Sequence, residues 1–495
     1  MTYKRILVLI ALFALLPMGA ARAEAPVLVL FDGSDMPSAC ALTEALVYMG
    51  LEYRLVDPSK AKDISGYSRA IVLVDPRTAR TDDFSNLLMA SGIPLFVIGA
   101  GGIDALTDAR LIKGNLSVEY SFLSGVSRSW LTERTQVSVL SQWSEAYGGS
   151  IGLMEGEKYP LCAREGDITH LAWFDPADEA MRAALPDLLA RWMWPYENRP
   201  TQYGTYLVLE EVYPFEDLSL LRAAGEALSN RGVPYAIEAM PVSVNADYPA
   251  MKRFCEVLAY LQAKGAAVVL RVPLNGLDAL DEAEGKEAIR VAYEAYARYG
   301  VYPLALSAPA DYLWDDDGLA ALRGSKTIFL HPAETAAATE NKAYLDGHLL
   351  IASAAGQAEP LTDVYATAVY VSLEGGVEAV MARVDDLGGA PVKSLWEIDN
   401  ALYIGDHGFF NAGYEITYDH QNETIAYLPF SYEPYEYDRG FVRSLTAQIE
   451  ANNRVLFVLV VSASMILTGL IVMARRQMRR QLLTHPDRSG RGRKP

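Results

Sequence analysis

Two adjacent carboxylates, Glu210-Glu211, end the apolar run Tyr206–Leu209. Paired acids at a strand end can hold a cation, take a proton or orient a hydroxyl. Further along, Tyr213 follows that pair, Arg271 ends the run Ala267–Leu270, Asp311 and Trp314 follow Pro303–Leu306, and His331 follows Thr327–Leu330. Each stands where a strand gives way to a loop, the place where parallel folds expose functional side chains. The candidate ligand-binding set is therefore Glu210, Glu211, Tyr213, Arg271, Asp311, Trp314 and His331, with Glu210 and Glu211 the carriers of any catalysis. Strand alternation puts Glu210 and Glu211 on opposite faces, so one of them enters a pocket. Two Glu and one His could hold a metal weakly, but Arg271 repels a divalent cation, so no metal and no cofactor is expected. The plainer alternative is a solvated acid beside an acid paired with Arg, and a His that only packs. Tyr206, Tyr213, Phe215, Tyr235, Tyr248, Tyr302, Tyr312 and Trp314 border the same loops, and aromatic faces suit the C–H patches of sugar rings.

Alternating strands and helices must position this set. In the second half, the strand Tyr206–Leu209 leads to an amphipathic helix over Leu218–Asn230, then a strand over Val233–Ile237 and a helix over Pro249–Lys264. A strand over Ala267–Val272, a long helix over Glu282–Tyr299, and strands at Pro303–Leu306 and Thr327–Leu330 follow. Repeated units of this kind predict a parallel barrel, closed or incomplete. Beyond Ala366 the chain reads as β-rich, with strands at Ala366–Leu373, Gly376–Val384, Ala401–Ile404, Tyr414–Tyr418 and Thr424–Pro429.

The first half begins with strands at Val27–Phe31, Tyr53–Val56, Ala70–Val74 and Pro94–Ile98, and helices at Pro37–Met49 and Asp82–Ala90. Short apolar runs between helices predict a parallel sheet covered on both faces. Hairpin-like strands then run to Trp173, and a helix over Asp178–Trp194 closes the unit. The order of elements resembles the flavodoxin-like sheet of class I glutamine-amidotransferase-type domains. The turn where those enzymes carry a Cys nucleophile reads Ile98-Gly99-Ala100-Gly101-Gly102, without Cys or Ser, so acyl transfer is excluded there. Its glycines could approach a phosphate or simply make a sharp turn.

Four segments of the second half, YLVLEEVYPF, NRGVPYAIEAMPV, YPAMKRFCEVLAYLQAKGAAVVL and YGVYPLALSAP, resemble polysaccharide deacetylases of the NodB-like type (carbohydrate esterase family 4) over residues 206–332. The resemblance implies a barrel-like fold and a metal-dependent site with an Asp-Asp pair and a His-x-x-x-His. Glu210 and Glu211 occupy the Asp-Asp positions, and the extra methylene of Glu displaces each carboxylate. The His motif is missing, and His331 is the first His after Thr201. A catalytically altered deacetylase-like protein is the preferred expectation, one that binds a cell-surface polysaccharide or joins membrane protein partners in an exopolysaccharide or envelope system. An active deacetylase with substitute ligands and a purely structural scaffold are the alternatives.

The ends predict a location. Lys4-Arg5, the apolar Ile6–Leu16 and Ala21-Arg22-Ala23 read as a signal peptide over 1–23. Val455–Ala474 carries no charge and is long enough to span a bilayer, and Arg475, Arg476, Arg479 and Arg480 open a basic tail over 475–495. A single-pass protein in the cell membrane is expected, with an extracytoplasmic body and a cytoplasmic tail. Between the ends lie a flavodoxin-like α/β domain over 25–197 and a deacetylase-like domain over 201–440 with a β-rich extension. A net charge of −19 excludes a nucleic-acid partner. Three scattered cysteines exclude a disulfide framework and structural zinc.

Overall fold

The structure is a computed structural model. It describes residues 26–423 except 76–77, 79–80, 100–108, 113, 133–136, 154–155, 195–203, 241, 243–245, 273–281, 333–344, 346, 355–363, 388–390, 405–406 and 420, together with 425 and 473–475.

Continuous apolar runs build the first sheet. β1 (Val27–Phe31), β2 (Tyr53–Val56), β3 (Ala70–Leu73) and β4 (Leu95–Ile98) are parallel, and β1, β3 and β4 are buried along their whole length. Asp35 caps α1 (Met36–Tyr48) by accepting from the Ser38 amide at 3.2 Å, with a proline in the first turn. α2 (Asp82–Ser91) ends at Gly92, whose φ of 62° only glycine adopts easily. Leu28, Leu30, Val72, Val97, Phe84 and Leu88 pack together on one side of the sheet.

After β4 the chain turns to hairpins: β5 (Ala109–Ile112), β6 (Leu116–Ser121), β7 (Ser127–Thr132), β8 (Val137–Leu140), β9 (Glu145–Leu153), β10 (Lys158–Glu165) and β11 (Ile168–Leu171). β5 and β8 form a separate ribbon, and the others extend the first sheet in the order β2-β1-β3-β4-β11-β10-β9-β6-β7. The expected flavodoxin-like parallel sheet is thus corrected to a nine-stranded mixed sheet. The reason is local: β11 pairs parallel with β4 but leaves β10 through the turn at Gly166, so every strand beyond it is antiparallel. α3 (Glu179–Met193) packs on this sheet and keeps its helix through an internal Pro186.

His170 on β11 is 2% exposed, and its Nε2 lies 3.1 Å from the carbonyl of Gly99, in the glycine turn after β4. Residues 100–102 of that turn lie outside the described residues. Burial pulls the His170 pKa from 6.5 down to about 4, against the smaller effect of the Gly99 hydrogen bond. The unfolded chain therefore takes the proton first, and stability is lost as pH falls from 6.5 toward 4. Urea midpoints across that window should drop by up to about 3 kcal/mol of stability, with a flat response in His170→Gln. An equal drop in both proteins would remove His170 as its origin.

The second half forms a closed barrel of seven parallel strands in chain order: β12 (Thr205–Val212), β13 (Ala236–Ala239), β14 (Ala267–Arg271), β15 (Ala305–Pro309), β16 (Thr327–His331), β17 (Leu349–Ser353) and β18 (Ala366–Val371). α4 (Leu218–Asn230), α5 (Pro249–Ala263), α6 (Glu282–Ala297) and α7 (Asp316–Leu322) connect successive strands. β18 returns to pair parallel with β12, so no edge is left open. The strand expected at Gly376–Val384 is instead α8 (Gly376–Asp386), since alternation there is weaker than its helical spacing.

β19 (Asn400–Ile404), β20 (His407–Ala412), β21 (Glu415–Tyr418) and β22 (Gln421–Glu423) make an antiparallel sheet. The chain leading into it closes the N-terminal end of the barrel. Lys393 N–H donates to Thr205 at 2.7 Å, Trp396 Nε1 to the Ala266 carbonyl at 3.0 Å, and Thr327 Oγ1 to Asn400 Oδ1 at 2.5 Å. Gly324 lies so close to the Tyr403 carbonyl that a Cβ has no room. Among the described residues, these contacts pack the chain against the N-terminal ends of β12, β14 and β16.

The sheet and the barrel belong to one compact unit ending at Phe430, joined where α1 meets β17 and Tyr48 packs on Tyr365 at 5.4 Å. The membrane expectation is corrected: among the described residues no helix is long and apolar enough to cross a membrane. At that end only Met473–Arg475 is described as helix, and 455–472 lie outside the described residues, as do the expected signal peptide and the tail from 476. The described residues therefore do not support the single-pass location expected from those ends.

Candidate functional site

Strand register decides which side chains enter the barrel. Tyr370 pairs with Val208, Val208 with Ala236, Glu238 with Val269, Arg271 with Ser307, and Ser307 with Phe329. Partners in register share a face, and so do residues two apart. Tyr370, Glu238, Arg271, Ser307 and His331 consequently share one face. That face is the interior: Glu238 and Ser307 have no exposure, and Tyr206 meets Phe329 edge-on across the barrel at 5.9 Å. Tyr206 and Phe329 form a lower apolar layer, and the polar residues lie above it toward the C-terminal mouth.

Glu238 is the centre of this layer. His331 Nε2 lies 2.5 Å from one carboxylate oxygen, Ser307 Oγ donates to the same oxygen, and Arg271 Nη1 stands 3.7 Å from the other. Burial pushes the Glu238 carboxyl up. The hydrogen bond and charge of His331, the Ser307 hydroxyl and the Arg271 guanidinium together outweigh it and hold the group below the usual carboxylate range. An ionised carboxylate only accepts, so the proton of each short contact belongs to His331 Nε2 and Ser307 Oγ. The Tyr370 ring packs on His331 at 4.4 Å. Burial, then Glu238, raises its phenol well above the ordinary value, so it remains a donor.

The seven expected residues divide. Glu210, Arg271 and His331 come to the mouth of the barrel, half-buried, and the Glu210 charge reaches Tyr370. Glu211 continues β12, and its side chain lies outside the described residues. β12 gains one residue against β13 between Leu209 and Val212, a bulge that breaks the alternation expected for the Glu pair. Tyr213 is 41% exposed on the loop after β12. Asp311 and Trp314 lie on a single turn after β15, where the Trp314 amide donates to the Asp311 carbonyl at 3.0 Å. Of the expected aromatic border, Tyr206, Tyr235, Tyr302 and Tyr312 are buried, whereas Tyr213, Phe215 and Tyr248 stand exposed. Tyr296 of α6 and Tyr299 in the turn after it donate to the carbonyls of Met240 and Ala246, before Tyr248.

Glu238, Ser307 and Tyr370 were not among the expected residues. The signal for Glu238 was present in AIEA, an acid within an otherwise apolar strand. The expected strand stopped at Ile237, which left Glu238 in a loop.

The divalent metal implied by the deacetylase resemblance does not fit these residues. The His331 nitrogen and the Glu238 oxygens that would bind it are joined to each other, and a guanidinium stands beside them. Among the described residues no group of three His, Cys, Asp or Glu is placed to hold an ion. Ser307 donates to the Glu238 carboxylate, but it is fully buried, which keeps its hydroxyl from a substrate. A cavity of about 300 Å³ between Arg231–Pro234 and Val384–Leu387 lies beside the N-terminal end of β13, away from the mouth. The arrangement offers a cation, a phenol, an imidazole and a carboxylate to a polar ligand. No protein-family model and no curated protein matches this chain.

Proposed function

We propose that the C-terminal mouth of the barrel binds a saccharide without metal chemistry. One observation carries this reading: inward-facing Arg271, His331, Tyr370 and Glu210 lie at the strand ends from which exposed Tyr213, Phe215 and Tyr248 lead off. Polar groups of fixed geometry suit ring hydroxyls, and exposed aromatic faces supply contact area. The resemblance of residues 206–332 to polysaccharide deacetylases supports the same ligand class. The altered acid pair and the missing His motif support binding rather than hydrolysis.

Affinity electrophoresis of the full chain through gels containing different polysaccharides tests this directly. Retardation by at least one polymer is expected, with affinity weakened about tenfold in a Tyr213→Ala/Phe215→Ala double variant, as for lost surface aromatic contacts. Migration unchanged in every polymer would reject the reading.

A further inference from the structure

The nine-stranded sheet ends on β7. That strand pairs with β6 without a bulge, from Ser121 opposite Ser127 to Leu116 opposite Thr132, and no other strand pairs with it among the described residues. Phe122 N–H donates to the Val126 carbonyl at 2.8 Å where the hairpin closes. Hydrogen-bonded pairs alternate along an antiparallel ladder, so Arg128, Trp130 and Thr132 direct their main-chain groups to β6. Ser127, Ser129 and Leu131 direct theirs outward. Proteins usually blunt such an edge with Pro, Lys, a bulge or a very short strand. The opposite edge, β2, follows that rule, with four residues and Pro58 close behind. β7 has six residues and none of these devices.

The outward set is symmetric about Ser129, which makes β7 complementary to itself. In an antiparallel pairing of two copies, Ser129 faces Ser129 on a two-fold axis and Ser127 faces Leu131. Each of these pairs can exchange both main-chain hydrogen bonds. Side chains match in the same register. Leu131, 74% exposed, is laid along the second strand. Arg128, exposed and without an acidic partner among the described residues, comes opposite Trp130 of the second copy. That indole is held in place, its Nε1 donating to Asp178 Oδ2 at 3.0 Å, and a guanidinium is favoured beside its ring. A two-fold pairing also closes both open edges at once, whereas an added foreign strand would present a new edge of its own.

We propose that two copies of this chain associate through β7, their sheets joined edge to edge around Ser129 into one continuous sheet.

Sedimentation equilibrium of the full chain should show a mass twice that of the chain, falling on dilution. Ser129→Pro removes the central N–H, which points away from β6, and should weaken association about tenfold or more. Ser129→Lys sets like charges face to face at the axis and should weaken it about fivefold, less so in high salt. Thermal melting checks folding, and Ser129→Lys, which changes only an exposed side chain, remains decisive if Ser129→Pro does not fold. Cross-linking reads the register. Ser129→Cys should give a disulfide-linked dimer on mild oxidation, since facing Cα atoms stand about 5.5 Å apart, while Ser127→Cys and Leu131→Cys should not. Cys40, Cys162 and Cys255 are buried and do not compete. A monomer at every concentration would overturn the proposal and leave β7 to an extended segment of another protein. A dimer indifferent to both Ser129 substitutions, or cross-linked equally from all three positions, would overturn it by placing the interface elsewhere.

Discussion

Glu238→Ala should destabilise the protein by about 3–5 kcal/mol, the usual result of removing one partner from a buried charged pair. The residue has no exposure, and its removal leaves the His331 and Ser307 donors and the Arg271 charge facing an emptied interior. The loss should appear in urea unfolding as a lower midpoint with an unchanged slope. Glu238→Gln separates shape from charge. The wild-type carboxyl is held below its ordinary range in the folded state, so the unfolded chain binds its proton first on acidification. This stability is fully present above the unfolded value of about 4.3 and is lost as pH falls through the folded value. Glu238→Gln should lack that acid limb while retaining the separate loss between pH 6.5 and 4 assigned to His170. A Glu238→Ala cost below about 1 kcal/mol, the scale of a surface pair, would show that the cluster does not hold the barrel together.

Where burial is two-sided, the pattern could be read directly. β1, β3 and β4, buried along their whole length, stand within one residue of where apolar runs placed them. The sheet beyond β4 could not be read so far. Hairpin strands announce themselves by turns, but nothing in β10 or β11 says that they join β4 rather than pack as a second layer; that depends on which strand has an unpaired edge. α8 was missed because Val377, Val380, Met381 and Val384 favour strand by type and helix only by spacing. The same limit applies to the mouth of the barrel. Arg271 and His331 were visible as polar ends of apolar runs. Glu238, Ser307 and Tyr370 sit inside runs, and their meeting is a product of barrel closure, which brings β13, β15, β16 and β18 around one axis. The bulge at Glu210-Glu211 was equally hidden, since an extra residue is defined only against a partner strand.

The first sheet depends on a comparable buried acid, and its removal should have a similar effect. Asp187, in the middle of α3, has no exposure and accepts from Tyr120 Oη at 2.6 Å, the Leu123 amide at 2.8 Å and Arg191 Nε at 2.9 Å. Arg191 also donates to the Ser121 carbonyl at 2.8 Å, so one turn of helix holds both β6 and the turn after it. Asp187→Ala should destabilise the protein by about 3–5 kcal/mol, because it strands a buried phenol, a backbone amide and a guanidinium together. Tyr120→Phe removes only one hydrogen bond to the charged group and should lose about 1.5–3 kcal/mol. The double variant should lose less than the two single losses combined, since the phenol needs no acceptor once it is gone. Hydrogen exchange at the Leu123 amide reports the local consequence: protection should fall sharply in Asp187→Ala and hardly at all in Tyr120→Phe. Equal protection in both variants would mean that main-chain pairing alone holds this turn, and α3 would then be packed on the sheet rather than tied to it.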